Sequence, residues 1–304
     1  MQTRTDDKVV AEEGEAEKGL VIERRFTTAG ADPFDAFDWI DMSVEIRNPD
    51  GSLADEIHGV QLPSGFAGVP GKVCAQKYLR KAGVPAALRK VAEDGIPGWL
   101  QRSEPDHEKL QTLAPEDRFV GEPHGRELFR RLAGTWTYWG WTHGYFASEA
   151  DARAFYDEMA YLIASQRSAP NSPQWFNTGL NWAYGITGPA QGHHYVDAVT
   201  GELKLSEDAY THPQPHACFI QSVGDSLVGG TESIMGLWNR EALLFKYGSG
   251  TGSNFSQIRG AGEPLSGGGT SSGLLSFLKI GDLSLIHISE PTRQEAISYA
   301  VFCL

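Results

Sequence analysis

Few side chains in this sequence can do covalent chemistry, and the most suggestive is Cys218. It stands in His216-Ala217-Cys218-Phe219-Ile220, and the alternation from His216 to Val223 predicts a strand. On a strand His216 and Cys218 project to the same face, where a ring N–H or a cation favours thiolate, the reactive form of the thiol. A lone buried core thiol fits the same spacing. Gly248-Ser249-Gly250-Thr251-Gly252-Ser253-Asn254 offers backbone N–H groups that no side chain shields, so a phosphate or sugar can approach closely; a flexible connector has the same composition. It is not a dinucleotide fingerprint, which needs a strand before it and a helix after it, nor a Walker loop, which needs Lys before Ser or Thr. Ser172 lies between Asn171 and Pro173; the proline disfavours helical geometry at Ser172 and frees its hydroxyl and amide, as a helix-end turn also would. His193, His194, His212 and His216 with Cys218 could hold a metal, but their spacing matches no standard zinc pattern.

These residues need elements to position them. Two alternating stretches from Met42 to Leu62 flank Asn48-Pro49-Asp50-Gly51 and predict a β-hairpin. Lys72–Lys81 and Pro85–Glu93 predict two short helices, bounded by Gly83, Pro85 and Gly95. Arg126–Ala133 reads as a helix running into the aromatic cluster Trp136, Tyr138, Trp139, Trp141, Tyr145 and Phe146, which reads as core or interface rather than as a base-stacking platform. Ser148 with Asp151 caps a helix that carries Phe155, Met159, Leu162 and Ile163 on one face and stops near Ala169-Pro170. A small hairpin is expected about Thr200-Gly201, and a further helix from Asp225 or Ser226 to Gly248.

The 304 residues suffice for one large domain or two modest ones. Lys and Arg number 26 and Asp and Glu 39, a net charge of −13, which argues against nucleic-acid binding through a broad basic face. No apolar run approaches the roughly 18 residues of a membrane span, and residues 1–19 are acidic where a signal peptide is basic and then apolar, so a cytoplasmic location is expected. Three cysteines, Cys74, Cys218 and Cys303, make no disulfide framework. Residues 1–30 read as a disordered acidic tail. Leu283 to Leu304, LSLIHISEPTRQEAISYAVFCL, resembles the translation of a transposase-type sequencing adapter with an index at Gln294-Glu295-Ala296. That stretch, Cys303 included, is expected to be non-native and stays outside the fold reasoning.

Taken in order, the strings FDWIDMSVEIRNPDG, VCAQKYLRKAGVP, TYWGWTHGYF, APNSPQWFNTGLNWAYGITGPAQGHHYVD, PQPHACFIQS and LWNREALLFKYGSGTGSNFSQIRGAGEPLSGGGTSSGLLSFLKIGD resemble the adenosylcobalamin-dependent (class II) ribonucleotide reductases in their long, vitamin B12-dependent form, over roughly residues 20–282. The resemblance implies an α/β fold: an N-terminal α+β region (31–130), then the first part of a ten-stranded α/β barrel (131–282), truncated. It implies reduction of ribonucleotides to 2′-deoxyribonucleotides by thiyl-radical chemistry with adenosylcobalamin. Cys218 matches the first of two reductant cysteines, and Ser172, Ala217, Cys218 and Gly250 match positions that touch the ribonucleotide. The region from about Ser256 to Gly273 lies where related enzymes communicate with a dNTP or ATP effector. A thioredoxin-type or other dithiol would reopen the disulfide. The radical-bearing cysteine and the second reductant cysteine are expected beyond Asp282, which would leave this piece inactive alone. Cys74 matches no family role and reads as a small core residue. Di- or triphosphate preference, the cobalamin contacts and homodimer formation are left open. The competing readings are a non-catalytic nucleotide-binding module and a His/Cys metal-binding protein.

Overall fold

In the computed structural model, which describes residues 19–47 and 51–288, the alternation on either side of the expected turn becomes an antiparallel hairpin of β1 (Trp39–Arg47) and β2 (Leu53–Pro63). Ile40 pairs with Leu62 and Met42 with Val60; Val44, Val60 and Leu62 are buried. Residues 48–50 of the turn lie outside the described residues. The described residues divide into two compact units: 19–76 with Lys81–Ala169 and Trp182–Gly185, and Lys77–Arg80 with Pro170–Asn181 and 186–288.

In the first unit α1 (Val69–Val73) follows the hairpin, and a π-turn continues it over Cys74–Tyr78, the last two residues of which belong to the second unit. Helix therefore begins earlier than Lys72, because Pro70 suits a first helical turn, where its missing N–H costs nothing. The helix expected over Pro85–Glu93 is absent. Val84–Pro85 (β3) pairs with Phe119–Val120 (β6), and Leu88–Lys90 (β4) pairs with Ser103–Pro105 (β5), with an Arg89–Glu104 ion pair across β4 and β5. Strand partners supplied from elsewhere in the chain outweigh a weak local helical preference. Between β5 and β6 lies α2 (His107–Gln111), capped by Asp106, whose side chain accepts from the Lys109 N–H.

Helix α3 (Gly125–Thr142) is longer than its sequence signal and takes the aromatic cluster from Trp136 to Trp141 into itself. Glycines permit this. A Cβ at Gly125 would stand 2.5 Å from Leu62 Cδ2, one at Gly134 would run into the Trp182 ring, and one at Gly140 would lie 2.6 Å from the Phe146 ring. Helix α4 (Glu149–Ala164) starts as expected, with Ser148 Oγ accepting from the Asp151 N–H at 3.2 Å, and buries Ala152, Ala154, Ala160, Ile163 and Ala164. It also buries Asp157 and Glu158, and the stretch read as tail supplies their partners. Arg24 pairs with Asp157 at 2.8 Å, and the Phe26 and Thr27 N–H groups and the Thr27 hydroxyl donate to Glu158 at 2.6–3.0 Å. Composition reads residues 1–30 as a disordered tail because little in them is apolar-periodic, but within the strap 19–30 the Arg24 and Thr27 side chains and the Phe26 and Thr27 amides are ordered by buried carboxylates.

The second unit contains α5 (Ser172–Asn177) and the start of α6 (Leu180–Tyr184), then the expected hairpin of β7 (His194–Val196) and β8 (Leu203–Leu205), with Gly201 at φ +70°. It continues with β9 (Cys218–Ser222), α7 (Ile234–Lys246), β10 (Gly250–Asn254) and α8 (Leu274–Ile288). Helix α7 starts at the Ser233 cap, well after Asp225, because Gly229 and Gly230 take φ of +118° and +120°, values no helix contains. The run Gly250–Asn254 is a strand and not a loop: it lies parallel to β9 with Cys218 opposite Gly250 and Ser222 opposite Asn254. The described sheet structure is five two-stranded pairs, one of them parallel, with no closed barrel among the described residues. Among these residues no helix is long and apolar enough to cross a membrane.

Candidate functional site

The β9–α7–β10 segment is a strand–helix–strand crossover, the connection that two parallel neighbours require. Ile234 and Leu237 of α7 pack on Val223, with Trp238, Phe255, Ile258 and Phe277 around them. Polar links hold the helix to the strand pair. Arg240 Nε donates to Gln221 Oε1 at 2.7 Å, Arg240 Nη2 to the Ser222 carbonyl at 3.1 Å, and Ser253 Oγ to Glu241 Oε1 at 2.8 Å. Burial pushes the Glu241 carboxyl above its ordinary range, against the opposing effect of the Ser253 hydroxyl.

With Gln221 turned to α7, the alternate residues Cys218, Ile220 and Ser222 are exposed, Ile220 to 84%. Gly250 accounts for the access to the thiol. Its N–H donates to the Ala217 carbonyl at 2.5 Å, and a Cβ there would lie 3.4 Å from both Cys218 Sγ and that carbonyl oxygen. The strand needs no positive φ at this position, so the missing side chain is spent on clearance. His216 precedes the ladder, outside the strand on which alternation would set it beside the thiol, and none of the described hydrogen bonds joins the two. Its Nδ1 lies 3.1 Å from Gln214 Oε1, and its ring packs near Phe219. Ser249 Oγ donates to the His216 carbonyl at 3.0 Å, fixing the entry to β9.

Ser172 is the first residue of α5, with Asn171 extended before it and Pro173 next. It is exposed, but its hydroxyl is not free: Tyr78 Oη stands 3.2 Å from Ser172 Oγ. Sequence reasoning missed Tyr78, whose only signal was its place in the string VCAQKYLRKAGVP. Helix α5 is tied to the approach to β9 by Asn177 Nδ2, which donates to the Gln214 carbonyl at 3.5 Å. The site residues thus fall in one unit, with Cys218, Ala217 and Gly250 in direct register; among the described contacts Ser172 does not touch them.

Cys74 is built differently. It is 2% exposed, and burial, then the nearby Glu122 carboxylate, push its thiol from 9.0 up to about 12, so it stays protonated and inert. Of the histidines considered for a metal, His193 is engaged with the His212 carbonyl, and burial followed by the charge of His193 holds the His212 imidazole below its ordinary range. Among the described residues no group of three or more His, Cys, Asp or Glu could hold a metal ion. The first unit has its own cleft of about 1060 Å³, but its cations are already engaged: Arg130 with Asp32, Arg131 with Glu122, Arg153 with Asp157, and Lys90 on the Gln101 carbonyl and the Trp182 ring.

Two family models match the chain. Residues 216–300, which include the parallel strand pair, its crossover helix and Cys218, match the barrel domain of ribonucleotide reductases; residues 41–166 match the class II vitamin B12-dependent ribonucleotide reductase model. The vitamin B12-dependent ribonucleotide reductase of Bradyrhizobium diazoefficiens is 60% identical over 263 residues, 86% of this chain and 21% of that protein. Those of Agrobacterium fabrum and Rhodopirellula baltica are 59% and 33% identical, over 86% and 87% of this chain and 20% and 22% of theirs. The chain belongs to the class II, vitamin B12-dependent ribonucleotide reductase family, and it spans about a fifth of the length of the curated relatives it matches.

Proposed function

We propose that this chain is the N-terminal part of an adenosylcobalamin-dependent reductase of ribonucleoside di- or triphosphates, and that Cys218 is one of its two reductant thiols. The observation that carries the reading is the open face of β9: an exposed thiol whose parallel neighbour is a glycine, within a segment that matches the family's barrel model. In the proposed reaction the two thiols give up two electrons and two protons and become a disulfide. The ribose 2′-hydroxyl leaves as water, and hydrogen takes its place on C2′. A thioredoxin-type or other dithiol returns the disulfide to thiols. Ser172, Ala217 and Gly250 are proposed to contact the ribonucleotide, and β9 and β10 to be strands of the ten-stranded barrel.

The cofactor supplies the radical in this family. The strand face around Cys218 offers a thiol and glycine backbone, and the nearby His216 ring is engaged with Gln214 and Phe219, so these residues do not fit a corrin ring. The region from Ser256 to Gly273, proposed to communicate with a dNTP or ATP effector, is closed by hydrogen bonds between Gly262 and Ser271 and between Ser271 and Glu263, and tied down by Arg259 on Asp225 at 2.5 Å. The test is turnover of the full-length enzyme with adenosylcobalamin and dithiothreitol. Cys218→Ser should abolish dithiol-dependent reduction while Cys74→Ser retains it; undiminished turnover in Cys218→Ser would remove Cys218 from the mechanism.

A further inference from the structure

We propose that Tyr78 is a positioning residue of the ribonucleotide site, setting which way the Ser172 hydroxyl donates. Tyr78 ends the π-turn Cys74–Tyr78 and belongs with Trp175 and Ser172 to the second unit, where its ring stacks on Trp175 at 5.1 Å between centroids and 12° between planes. Trp175 is a fixed platform, 5% exposed, with its indole N–H donating to the Pro170 carbonyl at 3.0 Å. Ser172 has a fixed backbone too, held between an extended Asn171 and Pro173 in the first turn of α5. What is left to rotate is the Ser172 hydroxyl, which carries one proton and two lone pairs.

Either hydroxyl of the 3.2 Å pair can donate. If Ser172 gives its proton to Tyr78, it can offer a ligand only a lone pair. If the phenol donates instead, the Ser172 proton is free for an acceptor oxygen, as on a ribose or a phosphate. An acceptor ligand selects the second arrangement, and the chain from Tyr78 through Ser172 to ligand polarises in one sense. The role rests on the reading above that Ser172 touches the ribonucleotide.

The experiment uses the full-length enzyme and measures KM and kcat for the ribonucleotide, its equilibrium Kd, and the melting temperature of each variant. Tyr78→Phe keeps the stack on Trp175 and removes only the hydroxyl, so melting should hardly move. Loss of one aligned hydrogen bond should raise KM and Kd roughly 5- to 10-fold, with kcat within about twofold. In a Ser172→Ala background the same change should have less than about a twofold effect, and in Ser172→Thr, which restores a hydroxyl, the dependence on Tyr78 should return. If Ser172→Ala weakens binding but Tyr78→Phe does not, or if the two effects multiply in the double variant, the role of Tyr78 is overturned. If Ser172→Ala itself leaves KM and Kd unchanged, the placement of Ser172 falls, and the role of Tyr78 with it.

Discussion

The two described cysteines should differ in reactivity by orders of magnitude, and the difference follows from their surroundings. Alkylation needs thiolate and an open path to sulfur. At pH 8 a thiol at 9.0 is about one-tenth ionised, and one at about 12 only about one part in ten thousand, so burial slows Cys74 about 1000-fold before access is counted. Cys218 is exposed and open on the side of Gly250. Iodoacetamide labelling of the native chain at pH 8, read peptide by peptide so that Cys303 is scored separately, should modify Cys218 in minutes and leave Cys74 untouched. In guanidinium the two should react alike. Between pH 9 and about 12 the unfolded chain has released the Cys74 proton and the folded chain has kept it, so stability should fall as pH rises through that window. The limiting slope is about 1.4 kcal/mol per pH unit. Equal native labelling rates, or preferential labelling of Cys74, would refute the assignment of one thiol to chemistry and the other to the core.

Gly250→Ala should fold with stability within about 1 kcal/mol of the parent, since the backbone there is not left-handed. It should slow Cys218 labelling roughly tenfold, because a methyl in contact with Sγ blocks approach at a cost of about 1.4 kcal/mol. Glu122→Gln should cost about 3–5 kcal/mol in urea unfolding, because it leaves the fully buried Arg131 without the carboxylate it holds at 2.6 Å; replacing both partners by apolar residues should recover much of the loss.

Sequence alone was informative wherever short-range chemistry decides the backbone. The Ser148 cap, the turn about Thr200-Gly201, the β1–β2 alternation and the end of α7 near Gly248 are local facts, and each stands in the fold. It failed where partners come from far along the chain. Leu88–Lys90 is a strand because Ser103–Pro105 pairs with it, and Gly250–Asn254 is one because Cys218–Ser222 lies alongside. The candidate site divides in the same way. The residue types at Ser172, Cys218 and Gly250 are visible in the sequence, but the clearance that Gly250 gives Sγ and the approach of Tyr78 to Ser172 depend on pairings across 32 and 94 residues.

The amino-terminal strap on α4 bears on synthesis. Asp157 and Glu158 take partners from residues made some 130 positions earlier. A growing chain emerges with its donors already outside the ribosome before the acidic helix follows, so the two carboxylates meet their counterparts as soon as α4 can coil. Moving those first residues to the end of the gene would reverse the order and hold a charged, half-finished helix in water until translation ended.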